Sequence, residues 1–260
     1  MAIKRGPRQM SVAESSALVL LLALICLTSC RRAGPDPLAH GWDRNDGEPL
    51  DGAPILERAK DSRCVWQVDQ KPDRITISRV SNQDFSYLHP QEVRVQTANG
   101  LLIGENHGEW GGSLSLLVAP SESPRKLLDK NVLQIFPVKS GFAVITGNLP
   151  LNQGEVWLYS KVDAGGWSIE KKADLNGYPI AIRNRPSGIF LVRGDGVDVV
   201  DADFKVRKLA ELPLLGIHPT SVAEDARGSI YIGMQVFVVR LVPNQTGYEH
   251  EWFVGTGCLP

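Results

Sequence analysis

The feature that most constrains the fold of this chain is a short motif that occurs four times. In each copy a polar turn ends in glycine and is followed at once by apolar residues; the four marker glycines are Gly100, Gly141, Gly188 and Gly228. They are spaced 41, 47 and 40 residues apart. A period of about 40 to 50 residues is typical of the four-stranded blades of a β-propeller. The sequence therefore predicts an all-β protein built of four-stranded blades.

Each repeat holds four segments with the composition of strands. In the second repeat, a segment rich in β-branched residues at 132–137 precedes the marker glycine, an apolar segment follows it, and segments at 155–160 and 167–173 complete the unit. Short apolar or alternating runs between turn residues are typical of strands. We expect the marker glycine to supply the positive φ of the hairpin turn between the first and second strands. Residues 91–258 hold four such units.

The last unit is similar to a known group of repeats. Residues 219–233 (PTSVAEDARGSIYIG) resemble the blade signature of bacterial β-propellers of the NHL, regucalcin/gluconolactonase-like and two-component-sensor types. Part of the same pattern begins at His89 and continues through Gly100, so His89 and His218 occupy equivalent positions, which indicates shared architecture and not catalysis. The resemblance implies a propeller fold, and it leaves function open because one fold supports many functions.

The number of blades depends on residues 55–90. We interpret them as a degenerate fifth blade or as the closing strands of the ring, which gives a propeller domain at 55–260 with five blades, or four as the alternative. Cys64 and Cys258 lie near the two ends of this domain. In an exported chain such a pair predicts a disulfide bond that locks the seam of the ring. Two unpaired thiols are the alternative.

The N-terminus has the pattern of an export signal. Three basic residues precede eleven consecutive apolar residues at 17–27, a stretch too short to span a bilayer. The string that follows, Leu27-Thr28-Ser29-Cys30, resembles the bacterial lipobox, which implies cleavage after residue 29 and lipid attachment at Cys30. An ordinary signal peptide with a coincidental cysteine is the alternative. We therefore expect a signal peptide at 1–29, a flexible tether rich in Gly and Pro at 30–54, and a location at the bacterial cell envelope.

The charge balance excludes one class of partner. The whole chain has 28 basic and 29 acidic residues, and removal of residues 1–29 leaves 25 and 28, for a net charge of −3. A nucleic-acid partner requires a basic surface. We therefore expect no nucleic acid, and we expect the chain to contact the membrane through its lipid anchor.

The candidate binding residues lie in the loops that follow the second strands, because these loops of a propeller emerge on one face near its channel. The candidates are Glu105, Asn106, His107, Trp110, Asn148, Asp195 and Gln235. Glu105, Asn148 and Asp195 could together bind Ca²⁺ through oxygen ligands, although the same residue types also form ordinary turns. No arrangement of nucleophile, base and acid stands out, so no catalytic residue is assigned. Trp110 and Trp167 follow glycine-rich stretches, where we expect them to be exposed and available to a partner.

The functional expectation is a lipid-anchored binding or scaffold propeller of the cell envelope, which contacts a protein, peptide or glycan through these loops. A metal-dependent hydrolase of the lactonase type, using the three candidate calcium ligands, is the alternative. A sensor propeller ranks third, because no signalling domain accompanies the repeats in this sequence.

Overall fold

Nearly all of the regular secondary structure that the structure describes consists of β-strands. The structure is a computed structural model, and the residues that it describes are 36–38, 42–45, 64–72, 74–80, 89–120, 123–162, 166–212, 218–255 and 258. The expected signal peptide and Cys30 lie outside them. All described residues belong to one unit, Pro35–Pro260.

Three strands precede the first repeat. They are β1 (Trp42–Asn45), β2 (Val65–Gln70) and β3 (Ile75–Val80). Strands β2 and β3 pair with each other as an antiparallel hairpin, whereas β1 pairs elsewhere.

The four repeats form four antiparallel sheets in which consecutive strands are neighbours. Sheet I comprises β4 (Glu92–Thr97), β5 (Gly100–Glu105), β6 (Leu114–Leu117) and β7 (Arg125–Leu128). Sheet II comprises β8 (Val132–Val138), β9 (Gly141–Asn148), β10 (Gln153–Lys161) and β11 (Trp167–Leu175). Sheet III comprises β12 (Ala181–Arg185), β13 (Gly188–Arg193), β14 (Gly196–Val200) and β15 (Val206–Glu211). Sheet IV comprises β16 (Pro219–Glu224), β17 (Ile230–Met234), β18 (Phe237–Pro243) and β19 (Tyr248–Gly255), and β1 adds to it beside β19.

The marker glycines occupy the backbone conformation expected of them. All four have positive φ, at 132° for Gly100, 146° for Gly141, 136° for Gly188 and 83° for Gly228. The first three also lie against the third strand of their sheet, where a Cβ atom on Gly141 would overlap the carbonyl oxygen of Tyr159. Glycine is therefore required at these hairpins for two reasons, the sign of φ and the closeness of the neighbouring backbone.

Successive sheets pack against each other through buried apolar side chains. One cluster joins sheets I and II through residues such as Leu102 and Val132, and a second joins sheets II and III through Ile145 and Leu191. Two further clusters join sheet III to sheet IV, and sheet IV to the β2–β3 hairpin. The prediction of an all-β chain with repeated four-stranded sheets is confirmed, and this sequential packing is consistent with a propeller-like fold.

The two ends of the domain meet at the predicted disulfide. Cys64 and Cys258 are bonded, with Cα atoms 5.6 Å apart, and both are buried. The chain next to Cys64 also pairs with the turn between β17 and β18, since Val65 forms a β-bridge with Gln235 and the Val236 N–H donates to the Cys64 carbonyl oxygen at 2.9 Å. The expectation of a disulfide is confirmed, and the alternative of two free thiols is wrong.

The expected tether at 30–54 contains ordered structure. Leu38 is buried in the cluster shared by sheet IV and the β2–β3 hairpin, and Asp36 forms an ion pair with Arg240 of β18. Strand β1 pairs antiparallel with β19, from Trp42 opposite Gly255 to Asn45 opposite Trp252. These segments were expected to be flexible because they lack an apolar period. They are held instead by the unpaired edge of β19 and by a cation that attracts a carboxylate.

Candidate functional site

The candidate residues share one end of their sheets. In a four-stranded meander, the connection between the second and third strands lies at the same end as the entry into the first strand. We call this the loop end, and its four connections are residues 106–113, 149–152, 194–195 and 235–236. Hydrogen bonds join these connections to the entries of the following sheets: the Tyr178 N–H, for example, donates to Asn152 Oδ1 at 3.0 Å. The predicted binding residues all lie in these connections or directly before them.

The longest of these connections is a braced loop that presents Trp110. Residues Gly108–Trp110 form one 3-10 turn, and the Gly108 N–H donates to Asn106 Oδ1 at 3.1 Å. The Trp110 side chain is 90% exposed, the most exposed of the large apolar residues in the described chain. The expectation that Trp110 is exposed is confirmed. Trp167 was also expected to be exposed, but it is half-buried, and its ring stacks on Tyr159 with centroids 4.9 Å apart.

Asn131 joins this loop to the neighbouring sheet. Its side-chain amide donates to the Gly108 carbonyl oxygen at 2.6 Å, and its Oδ1 accepts from the His107 N–H at 3.2 Å. Its own carbonyl oxygen accepts from the Gly147 N–H at 3.1 Å, directly before Asn148. Asn131 is buried, so these bonds are shielded from water. The sequence analysis did not identify Asn131, although a polar side chain directly before an apolar strand could have indicated a residue that bonds to a neighbouring loop.

A second exposed apolar group lies on the connection that follows Asn148. Leu149 is 53% exposed and Leu151 is 61% exposed, while Asn148 Oδ1 accepts from the Leu151 N–H at 3.3 Å and holds the turn. Trp110, Leu149 and Leu151 are three of the five large apolar residues exposed in the described ranges. The other two, Val118 and Val162, follow β6 and β10 and lie at the opposite end of their sheets. Exposed apolar surface is therefore concentrated at the loop end of sheets I and II.

The polar candidates have partners within the fold. Glu105 Oε2 accepts from the Ser113 hydroxyl at 2.6 Å, and Asp195 forms an ion pair with Arg193. Arg193 also pairs with the fully buried Asp198, with Arg193 Nε 2.9 Å from Asp198 Oδ2. No three His, Cys, Asp or Glu side chains among the described residues are grouped so that they could hold a metal ion. The predicted calcium ligands Glu105, Asn148 and Asp195 are thus engaged separately, two in side-chain contacts and one in its own turn.

The two equivalent histidines have different surroundings. His89 is buried, its Nε2 donates to the Pro179 carbonyl oxygen at 2.8 Å, and its ring meets Tyr178 edge-on with centroids 5.7 Å apart. Burial lowers the pKa of His89 below its usual value, against the smaller opposing effect of the bond to Pro179. His218 is exposed. The structural role expected of this position is therefore seen at His89, which ties the entry of sheet I to the entry of sheet III.

A central cavity lies among the first strands of the sheets. Its volume is about 150 Å³, and its lining includes Asp69 of β2, His89 before β4, Gln134 of β8, Arg183 of β12 and Ser221 of β16. Each of the four sheets and the β2–β3 hairpin thus contributes its first strand or the residues that enter it. A cavity lined by the first strands of successive sheets is consistent with a propeller-like fold.

No family model matches the chain, and no curated protein matches it. The class of protein is therefore given by the architecture, which is an all-β domain of repeated four-stranded antiparallel sheets arranged in a propeller-like manner. No helix in the described residues is both long and apolar enough to cross a membrane.

Proposed function

We propose that this chain is an exported, lipid-anchored propeller that acts as a binding or scaffold module of the bacterial cell envelope. The observation that carries the proposal is the apolar surface of the loop end, formed by Trp110, Leu149 and Leu151. Exposed tryptophan on a rigid loop is a common anchor of protein interfaces, because its large surface is buried at low cost in side-chain entropy. The two exposed leucines at the same end of the next sheet favour a protein or peptide as the partner over a glycan.

The rigidity of the two loops supports this proposal. Asn131 bonds to both the Trp110 loop and the strand that leads to Leu149, so the two loops are held in one relative position before any partner arrives. A preformed surface loses less conformational entropy on binding than a mobile one. The surface therefore suits recognition better than a flexible loop would.

We further propose that the propeller has five blades, with the β2–β3 hairpin as part of the fifth. Support comes from the central cavity, which is bordered by five first strands or entries, and from the packing of the hairpin on sheet IV. The disulfide between Cys64 and Cys258 lies where the fifth blade would meet the end of the fourth.

The lipid anchor is part of the same proposal and is attached at Cys30. Only residues 31–35 separate Cys30 from Asp36, which is held by Arg240. An extended chain of this length spans about 20 Å. The domain would therefore stay close to the bilayer surface, and partners would be components of the envelope within that reach.

The test places a photo-crosslinking residue at single positions of the full-length, membrane-bound chain. Positions 110 and 151 probe the loop end, and positions 118 and 162 serve as matched controls because Val118 and Val162 are also exposed apolar residues. We expect adducts to one defined partner from positions 110 and 151 only. We expect that adduct from position 151 to disappear in the Trp110→Ser variant. Adducts of equal yield from all four positions, or from none, would contradict the proposal.

The anchor has its own test. Labelling with radioactive palmitate should mark the wild-type chain, and the Cys30→Ala variant should stay unlabelled and leave the membrane fraction. Equal labelling of the two chains would remove the anchor from the proposal and leave the loop-end surface unaffected.

A further inference from the structure

A network of polar side chains lies near the central cavity, at the end of the strands opposite the loops. Arg185 donates to Gln70 Oε1 at 3.0 Å and to the Glu224 carbonyl oxygen at 2.8 Å, and its guanidinium lies 2.7 Å from Glu224 Oε2. The three residues stand near the far ends of β12, β2 and β16. The residues that line the cavity come from the parts of these strands nearer the loop end. We call this cavity the chamber; the Arg185 network lies just beyond its lining, on the side away from the loop end.

Arg183 lines this chamber and has no partner of its own. Its side chain makes no hydrogen bond or ion pair with any residue that the structure describes, although the residue is half-buried. Side chains two residues apart on a strand point to the same face, so Arg183 faces the same side as Arg185, which reaches β16 and β2. An arginine held in this position offers up to five donors to a ligand in the chamber.

The chamber also contains an acceptor of opposite charge. Asp69 is half-buried, and its carboxylate accepts one long hydrogen bond, from the Gln67 side-chain amide at 3.3 Å. The Gln134 side-chain amide makes no hydrogen bond within the described residues. Asp69 and Arg183 do not pair with each other in the described structure, so both charges remain available.

His89 adds no charge to those of Arg183 and Asp69. Burial lowers its pKa, and its Nε2 is already bonded to Pro179, so at neutral pH the ring adds no positive charge to the chamber. The hydroxyl of Ser221 likewise accepts from the Val68 N–H at 2.7 Å and is committed to the fold. The lining groups that make at most one side-chain hydrogen bond within the described residues include the Arg183 guanidinium, the Asp69 carboxylate and the Gln134 amide.

We propose that the chamber binds a small zwitterion of the α-amino acid type, with its carboxylate on Arg183 and its ammonium group on Asp69. A ligand with only a negative charge would be repelled by the Asp69 carboxylate. A ligand with only a positive charge would be repelled by the Arg183 guanidinium. A ligand that carries both charges pairs with both groups at once, whereas a ligand with a single charge pairs with one of them and meets a like charge at the other. The volume of about 150 Å³ is below the 300–1,000 Å³ of drug-sized pockets, which restricts the ligand to a few heavy atoms. The proposal does not depend on the partner of the loop end.

The experiment is isothermal titration calorimetry of the full disulfide-bonded domain with four probes of similar size: L-serine, propionate, ethylammonium and glycerol. We expect L-serine to bind and the three other probes to show no heat of binding at the same concentrations. Binding of propionate or glycerol as tight as that of L-serine would overturn the proposal. The absence of any L-serine binding at 10 mM would also overturn it, since this concentration is at roughly the weak end of specific affinities.

Variants test which residues carry the two charges. Arg183→Gln and Asp69→Asn should each weaken L-serine binding at least tenfold, or about 1.4 kcal/mol. Arg207→Gln and Asp203→Asn are matched controls, because both residues are exposed on sheet III or beside it, and they should leave the affinity unchanged. Thermal unfolding curves check that every variant is folded. Unchanged affinity in a folded Arg183→Gln variant would refute the assignment.

Discussion

The marker glycines allow a sharp test of why the hairpins of this fold need glycine. At Gly228 the requirement is conformational only, because φ is 83° and the nearest atom to an added Cβ is 3.9 Å away, on Pro243. At Gly141 φ is 146°, and an added Cβ would also overlap the carbonyl oxygen of Tyr159 and lie 3.0 Å from the Ser160 Cα. The Gly228→Ala variant should therefore lose about 1–2 kcal/mol of unfolding free energy, from backbone strain only. The Gly141→Ala variant should lose the same amount and a further 1–3 kcal/mol, roughly, because β10 must be displaced.

The difference between the two variants is more reliable than either value. Alanine also restricts the unfolded chain, which stabilises both variants by about 0.4–1 kcal/mol, and this effect cancels in the comparison. Urea denaturation followed by tryptophan fluorescence gives the two free energies of unfolding. For a domain of this size, 1–3 kcal/mol corresponds to roughly 2–12 °C in Tm. Equal losses in the two variants, or a larger loss in Gly228→Ala, would refute the argument from close backbone approach.

Two other predictions follow from the seam and from the buried histidine. Cys64 and Cys258 close a loop with a sequence separation of 194, for which chain entropy gives about 5 kcal/mol, so the double Cys→Ala variant should lose about 2–5 kcal/mol in urea denaturation. Reductant should destabilise the wild type by a similar amount and should not affect the variant. The second prediction concerns His89, whose pKa in the folded chain is lowered by burial. As the pH falls below about 6.5, the histidine of the unfolded chain takes up a proton before that of the folded chain. The free energy of unfolding therefore decreases until the pH reaches the pKa of the folded state. This pH dependence of stability has a slope of at most about 1.4 kcal/mol per pH unit, and it should be absent in the His89→Asn variant and present in the His218→Asn variant. Identical profiles of stability against pH for the wild type and the His89→Asn variant would contradict the prediction.

The sequence was sufficient to predict the four repeated sheets, because their signals are local. The two-residue turn before Gly141 and the apolar run after it specify a hairpin without reference to the rest of the chain. The prediction of a bond between Cys64 and Cys258 also needed little structural information, because these are the two cysteines outside the expected signal peptide and the expected lipidation site.

The missed elements depend on distant partners. Strand β1 has four residues and no apolar period, and the reason for its pairing lies in the unpaired edge of β19, about two hundred residues away along the chain. The position of Asp36 depends in the same way on Arg240. Burial opposes the charged form of Arg240, but its pKa is raised because its guanidinium donates ionic hydrogen bonds to Glu251 and Asp36. Asn131 is a third case, since its bonds to Gly108 and Gly147 exist only after two sheets have packed. Sequence patterns report local preference, and these contacts are products of tertiary structure.

The repeats differ most in the connections between their second and third strands, and this difference locates the candidate surface. These connections contain eight residues in sheet I, four in sheet II and two in each of sheets III and IV. The two short connections hold Asp195 and Gln235, and both residues are engaged within the fold, by Arg193 and by Val65. The two long connections carry the exposed apolar side chains, led by Trp110. Residues beyond those needed to close a hairpin do not contribute to the sheet. Such extra loop residues are therefore available to bind a partner. These differences support the proposal that the binding surface lies over sheets I and II.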